Sequence, residues 1–440
     1  MNKILAALII LVLAGGILLV VISQGTTLKV EPVKAIGMAT PVKVHVANTH
    51  GVRRLAAYVE QDGARHTLFE QAQPARRLFF WRGSEAPKDV TFEAGKAKAP
   101  ALKDGKARLV IEAVSNDLRA RTDQVSYDVQ VATQPPRVVA DGFQHYINQG
   151  GMELVVFTPS GYWTEAGVKV GKYTFRSFPL PGGAPGERFA MFAYPWDLGP
   201  DEAPYVYATN PTGTLAKASF WYKVFPKKFR VRDFELNDAF LDKVVNQIEP
   251  AGTGQLIDRY LKINRDLRRQ NNQTLADLRF KTEEKMFWDG PFARLGKEES
   301  MFADVRNYIY QGKKVDQQVH LGYDLSDVQQ APVSSSNNGR VVYAADLGIY
   351  GNCVVVDHGY GLQSIYGHLS RIEVKPGDLV KKGQILGRSG STGLAGGDHL
   401  HYSMQIDGVQ INPMEWWDIL WLRDRIQSKL KPVAQAAAAQ

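Results

Sequence analysis

The sequence predicts a mainly β protein. The expected order is an N-terminal transmembrane helix, one or two β-sandwich-like domains, a helical connector and a C-terminal antiparallel β-sheet domain. Three observations carry this prediction. Residues 4–22 form one uncharged apolar run. Apolar and polar residues then alternate with period two over most of the chain, as Val42, Val44 and Val46 do around Lys43 and His45. Helical spacing enters only after Asn237, where Phe240, Leu241, Val244, Val245 and Ile248 recur on one face.

The chain has 440 residues, room for two to four domains at roughly 100–200 residues each. Hydrophobic residues make up 44% and charged residues 22%, which excludes a wholly disordered or collagen-like chain. A mean hydropathy of -0.24 with a single long apolar run excludes a polytopic membrane protein. Basic residues number 53 against 45 acidic ones, a net charge of +8. That balance suits anionic partners such as nucleic acid, anionic lipid or an acidic cell wall, but no dense basic block concentrates it. One cysteine excludes an intramolecular disulfide framework.

The apolar run at 4–22 approaches the roughly 20 residues that a helix needs to span the hydrocarbon. Lys3 precedes it, so the N-terminus is expected in the cytoplasm and the remainder outside. A cleavable signal peptide has a shorter apolar core, about 7–15 residues, and Val21-Ile22-Ser23 is only a weak cleavage site. Residues 1–25 are therefore read as a single-pass inner-membrane anchor, with the bulk of the chain in the periplasm or cell exterior. Export argues against a nucleic-acid partner despite the basic charge.

Residues 40–134 are expected to form an immunoglobulin-like β-domain, with strands around Leu109-Val110-Ile111 and around Tyr127, Val129 and Val131. Pro135-Pro136 reads as a linker. Residues 137–230 form a second β-rich domain, with the loop 181–186 rich in proline and glycine. Neither region shows chemistry, and both read as spacers or binding modules. Residues 237–289 are the helical connector, with Asn237 as N-cap and the charged stretch 266–285 helical. The segment 290–420 is the last domain and 421–440 a flexible tail, low in complexity from Ala436 to Ala439.

Chemistry is concentrated in the last domain. Five of the nine histidines, His320, His358, His368, His399 and His401, fall between 320 and 401. His320 and Asp324 sit in H-L-G-Y-D, where Gly322 favours a strand end or loop. His399 and His401 sit in H-L-H, and in a strand residues two apart face one side. His368 lies between them in Y-G-H-L-S. Zinc suits the set His320, Asp324, His368, His399 and His401, because catalytic zinc takes three histidine or carboxylate ligands and keeps an open position. Two imidazoles are then left to move protons and stabilise charge. Spacing alone leaves open which histidines are ligands. His358 reads as structural and Cys353, among apolar strand residues, as a buried thiol.

The ordered stretches QVHLGYDLS at 318–326, YGNCVVVDHGYGLQSIYGHLS at 350–370, VKPGDLVKKGQILGRSGSTG at 374–393 and GDHLHYS at 397–403, with NP at 412–413, resemble a lysostaphin/LytM-type zinc metallopeptidase domain. The resemblance implies an antiparallel β-sheet groove that takes an extended peptide, with peptidoglycan peptide as substrate. It implies His320, Asp324 and His401 as zinc ligands, and His368 and His399 as catalytic non-ligands acting on a zinc-activated water. The family often carries Phe-Glu after H-x-H, where this chain has Tyr402 and Ser403; Ser403 is expected to alter hydrogen bonding to His401. The expected function is a membrane-anchored zinc endopeptidase cleaving peptidoglycan crosslinks, with D-alanyl-diaminopimelate bonds favoured by the setting and envelope proteins as regulators. The alternative is a non-catalytic envelope scaffold that binds wall peptide or activates a hydrolase.

Overall fold

The computed structural model describes residues 3–76, 80 and 83–430, the side chains of 3–7 excepted. The chain forms two compact units. One gathers residues 1–137 with 160–165 and 208–216, and the other 138–159, 166–207 and 217–440.

In the first unit the N-terminal run forms the helix Lys3–Ile22. Among the described residues no helix is long and apolar enough to cross a membrane, so the expected anchor rests on the sequence alone. Two sheets follow. Thr27–Val30, Thr40–Ala47 and Lys88–Ala94 form an antiparallel three-stranded sheet. The other sheet has the order Ala35–Ile36, Thr122–Val131, Gly105–Ser115, Val52–Gln61 and Ala64–Ala72. Val42, Val44 and Val46 of the first sheet share one core with Leu55, Ala57, Leu109, Ile111, Val129 and Val131 of the second. Lys43 and His45 between them face solvent, as strand alternation requires.

In the second unit, Phe178–Pro179, Arg188–Ala193, Met152–Ser160 and Arg137–Ala140 make a four-stranded sheet. The connector begins at Asp238–Ile248, where Asn237 accepts a hydrogen bond from the Phe240 amide at 2.8 Å. A second helical stretch runs from Leu256 to Lys281, with a π-turn over Ile263–Leu267 that buries Asn264. It ends earlier than the charged stretch 266–285 suggested: Thr282 is extended. Leu275 and Leu278 are its last buried residues, so nothing apolar holds a further turn to the core.

Beyond it, Val231–Leu236, Asp304–Tyr310 and Lys313–His320 form a three-stranded sheet. The main sheet has eight strands in the order Lys297–Ser300, Tyr323–Ser326, Leu400–Ile406, Leu362–Leu369, Asn352–Gly359, Gly339–Asp346 and Leu379–Val380, with Val409–Ile411 paired to Leu400–Ile406. Every pairing in it is antiparallel. The connector covers one face of this sheet, with Leu241, Val244, Val245, Tyr260 and Ile263 packed with Cys353, Val355 and Ile365.

The segment from 421, expected as a flexible tail, is ordered as far as it is described. Asp418 caps the helix Ile419–Leu422, which continues as Arg423–Gln427. Leu422 and Ile426 are fully buried one turn apart, and Lys429 pairs with buried Glu153 at 2.7 Å. The stripe Leu422–Ile426 supplies the packing that the composition of the tail concealed. The low-complexity stretch Ala436 to Ala439 lies outside the described residues.

Candidate metal centre and two accessory histidines

Strand register brings the centre together. Asp324 on Tyr323–Ser326 stands directly opposite His401 on Leu400–Ile406, and His401 in turn stands opposite Gly367, the neighbour of His368. His320 ends the strand Lys313–His320. Gly322 turns the chain between His320 and Asp324 in a tight space: a Cβ there would lie 2.6 Å from the His401 ring. His399 sits just before its strand, paired in a single bridge with Gly390. His368 adopts φ +61, a left-handed conformation uncommon for a residue with a Cβ and often found at functional sites.

His320, Asp324 and His401 are all buried and offer ligand atoms within 4.8 Å of one another. Asp324 Oδ1 lies 2.9 Å from His320 Nε2 and 3.2 Å from His401 Nδ1. The two ring nitrogens are 3.0 Å apart. Their hydrogen bonding shows what this group needs. His320 Nδ1 faces the Met301 carbonyl at 3.2 Å, so it carries the proton and leaves a lone pair on Nε2. The His320 Nε2 lone pair, His401 Nδ1 and the Asp324 carboxylate oxygen thus face one point, while His401 Nε2 has no hydrogen-bond partner among the described residues. Imidazole and carboxylate groups so placed are of the kind that hold a divalent ion. The donor set fits zinc.

The other two histidines stand beside this group. His399 Nε2 is 3.5 Å from Asp324 Oδ1, and the His368 and His399 rings are 4.8 Å apart. His368 Nδ1 donates to the Thr392 carbonyl at 2.8 Å and His399 Nδ1 to the Gly397 carbonyl at 2.9 Å. Both rings therefore present Nε2 for proton exchange. Burial pushes His401 down to about 4 and His368 well below the usual imidazole range, the latter with help from His399 and His401. Burial also lowers His399, but the hydrogen bond and charge of Asp324 outweigh it and raise the ring overall. Burial alone would raise the Asp324 carboxyl; His320 and the neighbouring rings hold it well down.

All five expected residues come together, and spacing did not reveal three further features. A cavity of about 310 Å³ opens on the group, and Phe240, Tyr260 and Arg268 of the connector line it with Phe234, Arg306 and Tyr308. Arg306 donates to Asp324 Oδ2 at 2.6 Å. Backbone carbonyls fix the rings. Phe234, Phe240, Tyr260, Arg268, Arg306 and Tyr308 lie upstream of the histidine motifs and carry no motif of their own. Ser403 is buried, and its Oγ has no hydrogen-bond partner among the described residues, so it makes no bond to His401. His358 sits apart, with Nδ1 on the Asn338 carbonyl and Nε2 on Ser364 Oγ, both at 2.7 Å. Cys353 is fully buried, and burial raises its thiol.

Fold and site together define an antiparallel β-sheet domain built around a buried His–Asp–His group with two more histidines at its rim. Residues 318–413 match Peptidase family M23, and this C-terminal domain is an M23 peptidase domain. The chain is 38% identical over 96 residues to the DD-carboxypeptidase/endopeptidase Mpg of Neisseria meningitidis, covering 22% of each chain. It is 41% identical over 96 residues to the peptidoglycan DD-endopeptidase ShyA of Vibrio cholerae, again 22% of each. The chain thus spans about a fifth of the length of these curated relatives. The solved catalytic domain of the antimicrobial peptidase lysostaphin from Staphylococcus simulans aligns at 26% identity, covering 32% of this chain and 96% of that one, with a TM-score of 0.22.

Proposed function

We propose that the chain is a zinc-dependent endopeptidase that cleaves peptide crosslinks of peptidoglycan. The observation that carries this reading is the convergence of His320 Nε2, His401 Nδ1 and Asp324 Oδ1 on one buried point, with His368 and His399 beside it. His320, Asp324 and His401 would hold the metal. Zinc bound there would supply Lewis acidity, activating water and polarising the scissile carbonyl. The chain's own residues do the rest. His399 and His368, each anchored through Nδ1, use Nε2 to take the proton of the attacking water, to deliver it to the leaving amine and to stabilise negative charge at the carbonyl oxygen. The aromatic wall of the cavity excludes water around the peptide. The name of ShyA, a peptidoglycan DD-endopeptidase, supports a peptidoglycan substrate.

The test is digestion of purified muropeptides by the full chain, with mass assignment of the products. Zinc-dependent release of crosslinked peptides is expected, abolished by chelation and restored by zinc. Intact muropeptides with stoichiometric zinc bound would favour a scaffold instead. The N-terminal helix is proposed as a single-pass inner-membrane anchor with the rest of the chain outside the cytoplasm, on the strength of the uncharged run 4–22 behind Lys3. A C-terminal phosphatase fusion should be active and the protein should resist alkaline extraction from membranes. Recovery as soluble protein would refute the anchor.

A further inference from the structure

Resting on that reading of the metal ligands, we propose that Arg306 is a positioning residue that confines Asp324 to a single metal-facing oxygen. The two oxygens of Asp324 have separate partners. Oδ1 faces His320 Nε2 at 2.9 Å, His401 Nδ1 at 3.2 Å and His399 Nε2 at 3.5 Å. Oδ2 accepts a charge-assisted hydrogen bond from Arg306 Nη2 at 2.6 Å. A free carboxylate can grip a cation with one oxygen or with both. Here, turning Oδ2 towards the metal would break a short bond to a permanently charged group that is largely shielded from water. The carboxylate is held with one oxygen forward, and a coordination position stays open for the reaction.

Arg306 is itself fixed. It lies on Asp304–Tyr310, the central strand between Val231–Leu236 and Lys313–His320. Its guanidinium sits 5.1 Å over the Phe234 ring on the neighbouring strand. The start of that strand is pinned by Arg230, which grips Asp304 through Nε at 2.8 Å and Nη2 at 2.6 Å. Asp304 in turn accepts from the Met301 amide at 3.2 Å, and the Met301 carbonyl accepts the His320 Nδ1 proton. Residues 301–306 therefore orient two of the three ligands. They precede the matched segment 318–413, so this control comes from the part of the chain that the family match leaves out.

Arg306 also lines the cavity, and its Nε has no partner among the described residues. Direct contact with substrate is thus the rival role, and the test separates the two. Full-length wild type, Arg306→Met and Arg306→Lys are loaded with cobalt(II) in place of zinc. Wild type should show the intense visible bands of four-coordinate cobalt. Arg306→Met should bind stoichiometric cobalt, but with weakened, shifted bands as Oδ2 joins the metal and coordination rises. Its kcat with zinc should fall about 10–100-fold with KM unchanged, the usual scale for a group that orients a ligand. Arg306→Lys, which keeps a positive donor, should move spectrum and kcat back towards wild type. An unchanged cobalt spectrum in Arg306→Met, or a raised KM at unchanged kcat, would overturn the proposal and leave the metal reading standing. Wild type that binds neither zinc nor cobalt would overturn the metal reading itself. If Arg306→Met does not fold, Arg306→Ala with the same spectrum decides.

Discussion

Asp324 shows how much one side chain's surroundings decide. It is a carboxylate of ordinary sequence context, yet three imidazoles face one of its oxygens and a guanidinium the other. The roles proposed for these residues are separable by mutation. His320→Ala and His401→Ala should lose most of the zinc measured by elemental analysis. His368→Ala and His399→Ala should keep zinc and thermal stability while muropeptide turnover falls about 10²–10⁴-fold, the usual contribution of a positioned acid or base. Loss of zinc from His399→Ala with retention in His401→Ala would exchange their roles. Gly322 belongs to the same argument. A methyl at 322 would meet the His401 ring at 2.6 Å and the Tyr402 carbonyl at 2.9 Å. Gly322→Ala should therefore displace the ring and give less than one zinc per folded chain. The five candidate residues were legible because they fall in short motifs, H-L-G-Y-D, Y-G-H-L-S and H-L-H, within one stretch of the chain. Arg306 was not, because its link to Asp324 crosses from one sheet to another.

The connector makes the same point for a whole element. Its helical character was readable from Asn237 and the apolar stripe Leu241, Val244, Val245, and both are seen in the structure. Asn237→Ala should destabilise the unit by about 1 kcal/mol, the usual loss for an N-cap. Leu241 is fully buried between helix and sheet, so Leu241→Ala should cost about 2–5 kcal/mol. Denaturant unfolding of the two variants measures both. What periodicity could not show is the surface that receives the stripe. The helices lie on the face of the sheet that carries Val355 and Ile365, and their rim residues Phe240, Tyr260 and Arg268 become a wall of the cavity.

Across the second unit, ion pairs and hydrogen bonds to buried carboxylates join segments distant in sequence. Arg176 grips Asp407, and Lys429 meets Glu153. Glu415 accepts from Asn148 Nδ2 at 2.8 Å and from the Met152 amide at 2.9 Å, with Gly151 leaving the space it needs. Burial pushes its carboxyl up to about 7, against the opposing effect of those hydrogen bonds. The native state then holds a proton that the unfolded chain releases near the ordinary value of 4.5. The contribution of Glu415 is fully present below that value, declines as pH rises, and is lost above about 7. Glu415→Gln mimics the protonated form, since the Asn148 amide can turn to accept from it. Its melting temperature should match wild type near pH 4 and exceed it at pH 8. Identical pH profiles for the two proteins would show that the carboxyl is not held neutral.

Composition, alternation and motif spacing were enough to read a mainly β chain, a helical connector after Asn237 and five candidate residues for the centre. These properties are local: a strand shows its period over a few residues, and H-x-H or H-x-x-x-D is written within one turn of chain. The partners that make those residues useful are not local. Pairing register sets Asp324 against His401, and a strand from another sheet brings Arg306 to the second oxygen. Connector residues wall the cavity beside the rings. Leu422, Ile426 and Lys429 look like a tail in sequence because a short stripe with one cation has no meaning until a buried surface and Glu153 receive it. Such contacts depend on which faces close against each other, and that is settled only when the whole core packs.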